Sequence, residues 1–169
     1  MVLMLMRHPH TLANQEKTFP KENLSPYSIR GEKEYQESLN KDYPVKRILT
    51  SPYKRALTLA EGISEKKGIP MDVVDALKEV DMGLFGGLTF EEVKLKFPEE
   101  TKVWLEDPES FTYPGGDSFK EKKEAVKKVL LSIHEDTLIV SHQAILYILS
   151  DLLGEAKSFE TGEITIYEL

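Results

Sequence analysis

The sequence predicts a three-layer α/β/α sandwich around a mostly parallel central sheet, and three observations carry that prediction. The chain opens on six apolar residues, Met1 to Met6, too few to span a bilayer and well sized for a strand buried on both faces. A second short apolar run of the same kind stands at Thr137 to Ser141. Between and after them, amphipathic helical patterns alternate with short apolar segments, the arrangement that βαβ units and a parallel sheet produce.

Taken in order, Met1–Met6 is the first strand, and Arg7 and His8 follow where it leaves the sheet. Pro9 biases His8 towards an extended backbone, which carries the imidazole beyond the strand end. A polar connection with Pro20 and Pro26 comes after Asn14. Ser28 is an N-cap for a helix to about Asn40, with Tyr35 and Leu39 at helical spacing. Val45–Ser51 holds the next strand, Ile48-Leu49, and Ser51-Pro52 reads as the cap and first turn of a helix to about Lys67. Ala56, Leu59, Ala60 and Ile63 line one face of that helix. Gly68 and Pro70 end it, and Met71–Val74 is a third strand.

Residues 80–116 differ in kind, being rich in Gly, Pro and aromatics, with helical pieces near Thr89–Phe97 and Glu99–Glu106. So much irregular chain inside one compact domain is expected to be a lid-like insertion rather than a linker. A charged helix from Asp117 to about His134 turns Val126, Val129, Leu130 and Ile133 inward. The strand Thr137–Ser141, a helix His142–Leu153 and a final strand Ile164–Tyr167 complete a single domain of 1–169. No internal repeat or low-complexity tract interrupts it.

Composition bounds the function. At 169 residues, 40% hydrophobic and 30% charged, the chain has the profile of one globular domain. A net charge of −7 without a basic patch argues against nucleic acid as a partner. The apolar opening has neither a basic flank nor a small-residue cleavage site, so it reads as a strand and not a leader, and no stretch suits a membrane span. With no cysteine there is no disulfide framework or thiolate metal site. A cytoplasmic protein is the expectation.

The polar residues at strand exits are the candidate site. Arg7 and His8 end the first strand, Arg55 falls in the first turn after the second, Glu79 follows the third, and His142 follows Leu138–Ser141. In open α/β sheets ligands gather at the carboxyl ends of strands, and helix N-termini favour anions. Taken singly, each has a plainer reading: Arg55 pairs with Glu61 or solvent, Glu79 is a surface carboxylate, His142 is a satisfied N-cap. Several on one sheet edge point to a site that holds and attacks an anion. His10 is read as lining the rim at most, and His134 as a helix-end residue suited to the macrodipole.

Arg7-His8-Pro9-His10-Thr11 with Asn14 resembles the Arg-His-Gly-Glu-Thr-x-x-Asn opening of the histidine phosphatase (phosphoglycerate mutase-like) superfamily. Ser51-Pro52-Tyr53-Lys54-Arg55-Ala56 with Ala60-Glu61 resembles its second motif. Leu77-Lys78-Glu79 with Gly83 and Gly86-Gly87 is similar to its Leu-x-Glu segment. Gly115-Gly116-Asp117-Ser118 and Val140-Ser141-His142 resemble its remaining two motifs. Two departures stand out: Pro9 replaces Gly, removing a backbone N–H, and His10 replaces Glu.

The resemblance implies a metal-independent phosphomonoester hydrolase of the histidine acid type, with no cofactor. His8 is the implied nucleophile, Arg7, Asn14, Arg55 and His142 the phosphate ligands, and Glu79 the proton donor. His142 is placed with His8 and Glu79 in the catalytic set. A small-molecule alkyl or sugar phosphate is the expected substrate, because the phosphohistidine-directed branch is generally associated with loss of the acid carboxylate. The aromatics Phe85, Trp104, Phe111 and Tyr113 are candidates for shaping the leaving-group pocket. Three alternatives stay open: a phosphoglycerate mutase, a protein phosphohistidine phosphatase, and a non-catalytic phosphoester-binding protein.

Overall fold

The computed structural model describes residues 1–21 and 25–169; part of the polar connection before Pro26 lies outside the described residues. The strands are β1 (Val2–Arg7), β2 (Arg47–Thr50), β3 (Met71–Val73), β4 (Thr137–Ser141) and β5 (Ile164–Glu168). They form one sheet in the order β3-β2-β4-β1-β5. The first four are parallel, and β5 runs antiparallel along the free edge of β1.

Side-chain alternation explains why β1 is apolar at every position from Val2 to Met6. Leu3 and Leu5 enter one core with Leu49 and Ile139, while Met4 and Met6 enter the other with Ile48, Leu138 and Val140. A strand covered on both faces has no polar side, unlike the half-solvated strands of antiparallel sheets. Each fully buried Leu or Met side chain contributes about 1.5–3 kcal/mol.

Two helices, α2 (Ile29–Leu39) and α3 (Lys54–Lys67), cover the methionine face through Leu39, Ala56, Leu59, Ala60 and Ile63. The opposite face is covered by α6 (Phe119–Leu131) and α7 (Gln143–Leu152), through Val126, Ile145, Leu146, Ile148 and Leu149. The predicted three layers follow from these two separate cores.

Several local expectations need correcting. A short helix α1 (Leu12–Glu16) starts within the opening motif, where only a polar connection was expected after Asn14. Its signal was the Thr-x-x-Asn spacing: Thr11 accepts from the Asn14 N–H while the Asn14 side chain accepts from the Thr11 N–H, a reciprocal capping box. Ser51-Pro52 is not the cap and first turn of α3. The N-cap is Tyr53, and the Ser51 hydroxyl instead sits in a tight turn, accepting from the Tyr53 N–H at 3.1 Å. Ser28 does cap α2, accepting from the Gly31 N–H.

Within residues 80–116 the helices are α4 (Phe90–Lys96) and α5 (Pro98–Glu106). Phe85 is fully buried there, in ring contact with Phe97, Trp104, Phe111 and Tyr113. The two ends of this segment are joined by backbone. Asp117 N–H donates to the Asp81 carbonyl at 2.8 Å and Leu84 N–H to that of Pro114 at 2.9 Å. Gly83 and Gly116 permit this approach, since a Cβ on Gly83 would lie 2.1 Å from the Pro114 oxygen and one on Gly116 2.3 Å from the Asp81 oxygen. Glu79 stands immediately before this junction.

Candidate active site

The chain crosses from β1 to β2, then returns through β3 to place β4 between them, so β1 and β4 flank a switch in strand order. Their register pairs Arg7 with Ser141, which sets His8 and His142 side by side just beyond the two strand ends. The His8 N–H donates to the Ser141 carbonyl at 3.1 Å, and the two imidazole centroids are 5.2 Å apart. Arg55, on the first turn of α3, arrives from the end of β2, the other neighbour of β4.

Arg7, His8, Asn14, Arg55 and Glu79 line one cavity of about 600 Å³. His142 lies behind its wall, fully buried against the His8 ring. The six residues singled out from the sequence are therefore gathered in one place. Burial of Arg55 and Glu79, each 6% exposed, removes the surface readings of both.

Each side chain is held by identifiable partners. His8 Nδ1 lies 2.7 Å from the Pro9 carbonyl oxygen, which can only accept. Nδ1 therefore carries the proton, and in the neutral ring Nε2 keeps its lone pair. Pro9 has lost the N–H of the usual glycine but keeps the carbonyl that sets this tautomer. Arg7 Nη1 donates to the Phe159 carbonyl at 2.6 Å, while its buried Nε has no partner among the described residues. The Asn14 Oδ1 accepts from both the N–H and the hydroxyl of Thr11, which leaves the amide NH₂ as the group available to an anion. The Glu79 carboxylate accepts from Val80 N–H at 2.9 Å and from Ala144 N–H, near the start of α7, at 3.3 Å.

Burial dominates the electrostatics. It pushes His8 and His142 well below the ordinary histidine value, and in both the charges of Arg55 and Arg7 push the same way. Both rings are neutral near pH 7. Burial raises the Glu79 pKa, against the opposing pull of the Val80 N–H, Arg55, the Ala144 N–H and Arg7. Two guanidiniums beside neutral imidazoles and a carboxyl shifted towards its acid form make a cavity that favours an anion.

Other expectations shift. Phe85, Phe111 and Tyr113 are packed into the core, and neither they nor Trp104 line the cavity; its aromatic walls are Phe19 and Phe90. A ring cluster that fills a core has no face left for a ligand. Lys17 and Lys21 also line the cavity, and nothing in the sequence marked them among so many other lysines. His10 is tied to α2 instead, with Nδ1 2.7 Å from the Ser28 hydroxyl and its N–H donating to Glu34. His134 is exposed beyond the end of α6.

This chain belongs to the histidine phosphatase superfamily (branch 1), which it matches over residues 3–165. Membership in this superfamily of phosphatases and mutases supports a phosphatase-type enzyme. Phosphoserine phosphatase 1 of Hydrogenobacter thermophilus is 28% identical over 148 residues, covering 83% of this chain and 70% of that protein. The 6-phosphofructo-2-kinase/fructose-2,6-bisphosphatase of Gallus gallus is 30% identical over 102 residues, or 59% of this chain. The chain spans only about a fifth of that relative's length, 21%. Alpha-ribazole phosphatase from Shigella flexneri shares the fold, with a TM-score of 0.88 at 21% identity over 100% of this chain and 91% of that one. Among the described residues no helix is long and apolar enough to cross a membrane, and no group of three or more His, Cys, Asp or Glu could hold a metal ion.

Proposed function

We propose that the protein hydrolyses a small-molecule phosphomonoester, an alkyl or sugar phosphate, through a phosphohistidine at His8, as a histidine acid-type phosphatase that needs no metal. The observation that carries this reading is the convergence of His8, Arg7, Arg55 and Glu79 on one cavity with the His142 ring against His8.

The His8 Nε2 lone pair attacks phosphorus in line with the ester oxygen. The P–O bond to the leaving group breaks, and that oxygen takes the proton of the Glu79 carboxyl. Arg7, Arg55 and His142, with the Asn14 amide, hold the three equatorial oxygens, where charge is spread in a loose transition state. The Pro9 carbonyl, accepting from Nδ1–H, stabilises the imidazolium character of the phosphorylated ring. In the second step Glu79, now a carboxylate, removes a proton from water. The water oxygen attacks phosphorus, the P–N bond breaks, and the electron pair returns to Nε2 as inorganic phosphate leaves.

Hydrolysis is favoured over a mutase because, among the described residues, the cavity has only two arginines, and its two lysines, Lys17 and Lys21, are exposed and do not close a dry second anion site. Arg30 is engaged with Glu34 and Thr161, and Arg47 with Asp72. A phosphohistidine substrate is disfavoured because its imidazole leaving group has no need of the acid that Glu79 provides. Phosphate release from p-nitrophenyl phosphate and a panel of alkyl and sugar phosphates, with EDTA present, tests the reading. Turnover should persist in EDTA, and its absence on every ester would favour the binding protein that lacks catalysis.

A further inference from the structure

We infer that Ser51 is a positioning residue that fixes the tautomer of His142, so that this histidine meets an anion as a hydrogen-bond donor. The inference rests on the reading of the cavity as a phosphate site, and it comes from counting protons around two buried side chains. His142 Nε2 lies 2.8 Å from the Ser51 hydroxyl, and both residues are fully buried. His142 Nδ1 is buried and has no partner among the described residues.

Two arrangements are possible. If the imidazole donates from Nε2, the Ser51 oxygen accepts from it while already accepting from the Tyr53 N–H at 3.1 Å. The serine proton would then need a third partner, and the described residues supply none. The same arrangement leaves a bare lone pair on Nδ1, which repels any oxygen of a bound phosphate. If Ser51 donates to Nε2 instead, its oxygen still accepts from Tyr53, its proton is used, and Nδ1 carries the ring proton. A buried polar group left unpaired costs about 1–3 kcal/mol, so the second arrangement wins on the Ser51 side, while Nδ1 stays unpaired in both until an anion accepts from it. The unpartnered Nδ1–H is then a donor kept for the ligand, beside His8, whose Nδ1–H is spent on Pro9.

The neutral state is essential, because an imidazolium would donate from both nitrogens and make the serine orientation irrelevant. After burial, the charges of Arg55, Arg7 and Lys122 all push the His142 pKa down, and the rings of His8 and Tyr53 pack on its imidazole at 5.2 and 5.5 Å between centroids. Glu79 is the acidic group of this cluster, held by the Val80 and Ala144 N–H groups.

The unmodified protein tests the assignment directly. Long-range ¹H–¹⁵N spectra separate the two neutral tautomers, and with four histidines in the chain the His142 signals are identified by their loss in His142→Asn. The expected result is a proton on Nδ1 and a bare Nε2; a proton on Nε2 overturns the proposal. Ser51→Ala should give a mixture of tautomers and lower kcat by about 10- to 100-fold, less than the roughly 10²–10³-fold cost of deleting an oxyanion donor because part of the ring population still donates. Ser51→Thr keeps the hydroxyl and should restore the tautomer. An unchanged His142 tautomer in Ser51→Ala would also overturn it. Neither spectrum depends on turnover, so an inactive protein would defeat the hydrolase reading and leave this result standing.

Discussion

The carboxylate of Glu79 accepts the backbone N–H of Ala144 at 3.3 Å, which ties the acid to the helix that begins directly after His142. With Val80 N–H on the other oxygen, the carboxylate is fixed at the cavity wall instead of sampling rotamers. Its worth as an acid depends on how badly the leaving oxygen needs a proton. General-acid help to a basic alkoxide is worth about 10²–10⁴-fold, whereas p-nitrophenolate leaves without it. Glu79→Gln should therefore slow the single-turnover burst with an alkyl phosphate far more than with p-nitrophenyl phosphate. Equal losses would remove Glu79 as the acid and return the phosphohistidine phosphatase to favour.

The lone pair that the Pro9 carbonyl leaves on His8 Nε2 predicts a covalent intermediate. Brief incubation with a ³²P-labelled ester followed by an alkaline quench should retain label on the protein, and an acid quench should lose it, because phosphoramidates are acid-labile. His8→Ala should not label. Parent-level labelling and turnover in that variant would place the nucleophile elsewhere.

Folding stability should fall as pH drops below 6.5, the ordinary histidine value. His8 and His142 are held well below it, chiefly by burial and then by Arg55. The unfolded chain takes up these protons first, so each histidine removes up to about 1.4 kcal/mol per pH unit until its own depressed pKa is reached. Glu79 acts in the opposite sense. Its raised value lets the native state take a proton before the unfolded chain does, a partial offset confined to the range between 4.5 and that raised value. Urea unfolding at pH 6.5 and 5.5 should show a steeper loss in the parent than in His142→Asn. Parallel losses would contradict the buried neutral state.

Lys17 and Lys21 line the cavity beyond the anion site in a chain whose net charge is −7. Lys17 has φ 55, a left-handed conformation usually left to Gly or Asn. The two ammoniums predict a preference for leaving groups that carry a negative charge. 3-Phosphoglycerate and glycerol 3-phosphate form a matched pair, differing by a carboxylate in place of a hydroxymethyl group. The parent should favour the former in kcat/KM by about 5-fold, the reach of about 1 kcal/mol from exposed charges. The ratio should approach one in the Lys17→Gln/Lys21→Gln double variant and at high salt. A ratio unchanged by both would exclude the lysines from substrate selection.

How far the sequence could be read depended on whether a property was local. Burial on both faces forces an unbroken apolar run, so Met1–Met6 and Leu138–Val140 announced the central strands. A parallel sheet sends every strand exit to one edge, so Arg7, His8, Arg55, Glu79 and His142 could be grouped before any distance was known. Helix caps were readable where the capping oxygen and its N–H lie within one turn, as at Ser28. The capping box at Thr11 is of the same kind, with Thr11 and Asn14 three residues apart.

Contacts between residues far apart in the chain were decided only by the tertiary structure. Ser51 was expected to cap a helix, and it faces His142 across 91 positions because β2 and β4 are neighbours in the sheet. Phe85, Phe111 and Tyr113 have the composition of a binding wall, but whether an aromatic faces a core or a cavity depends on what packs against it. Lys17 and Lys21 differ from the other lysines only in that residues 17–21 lie along the cavity. Sequence alone therefore determined which chemistry could gather at the strand ends, through periodicity and chain direction. The proton positions and the walls of the site were set by packing, because a hydrogen bond is decided by the distance and orientation of both its partners.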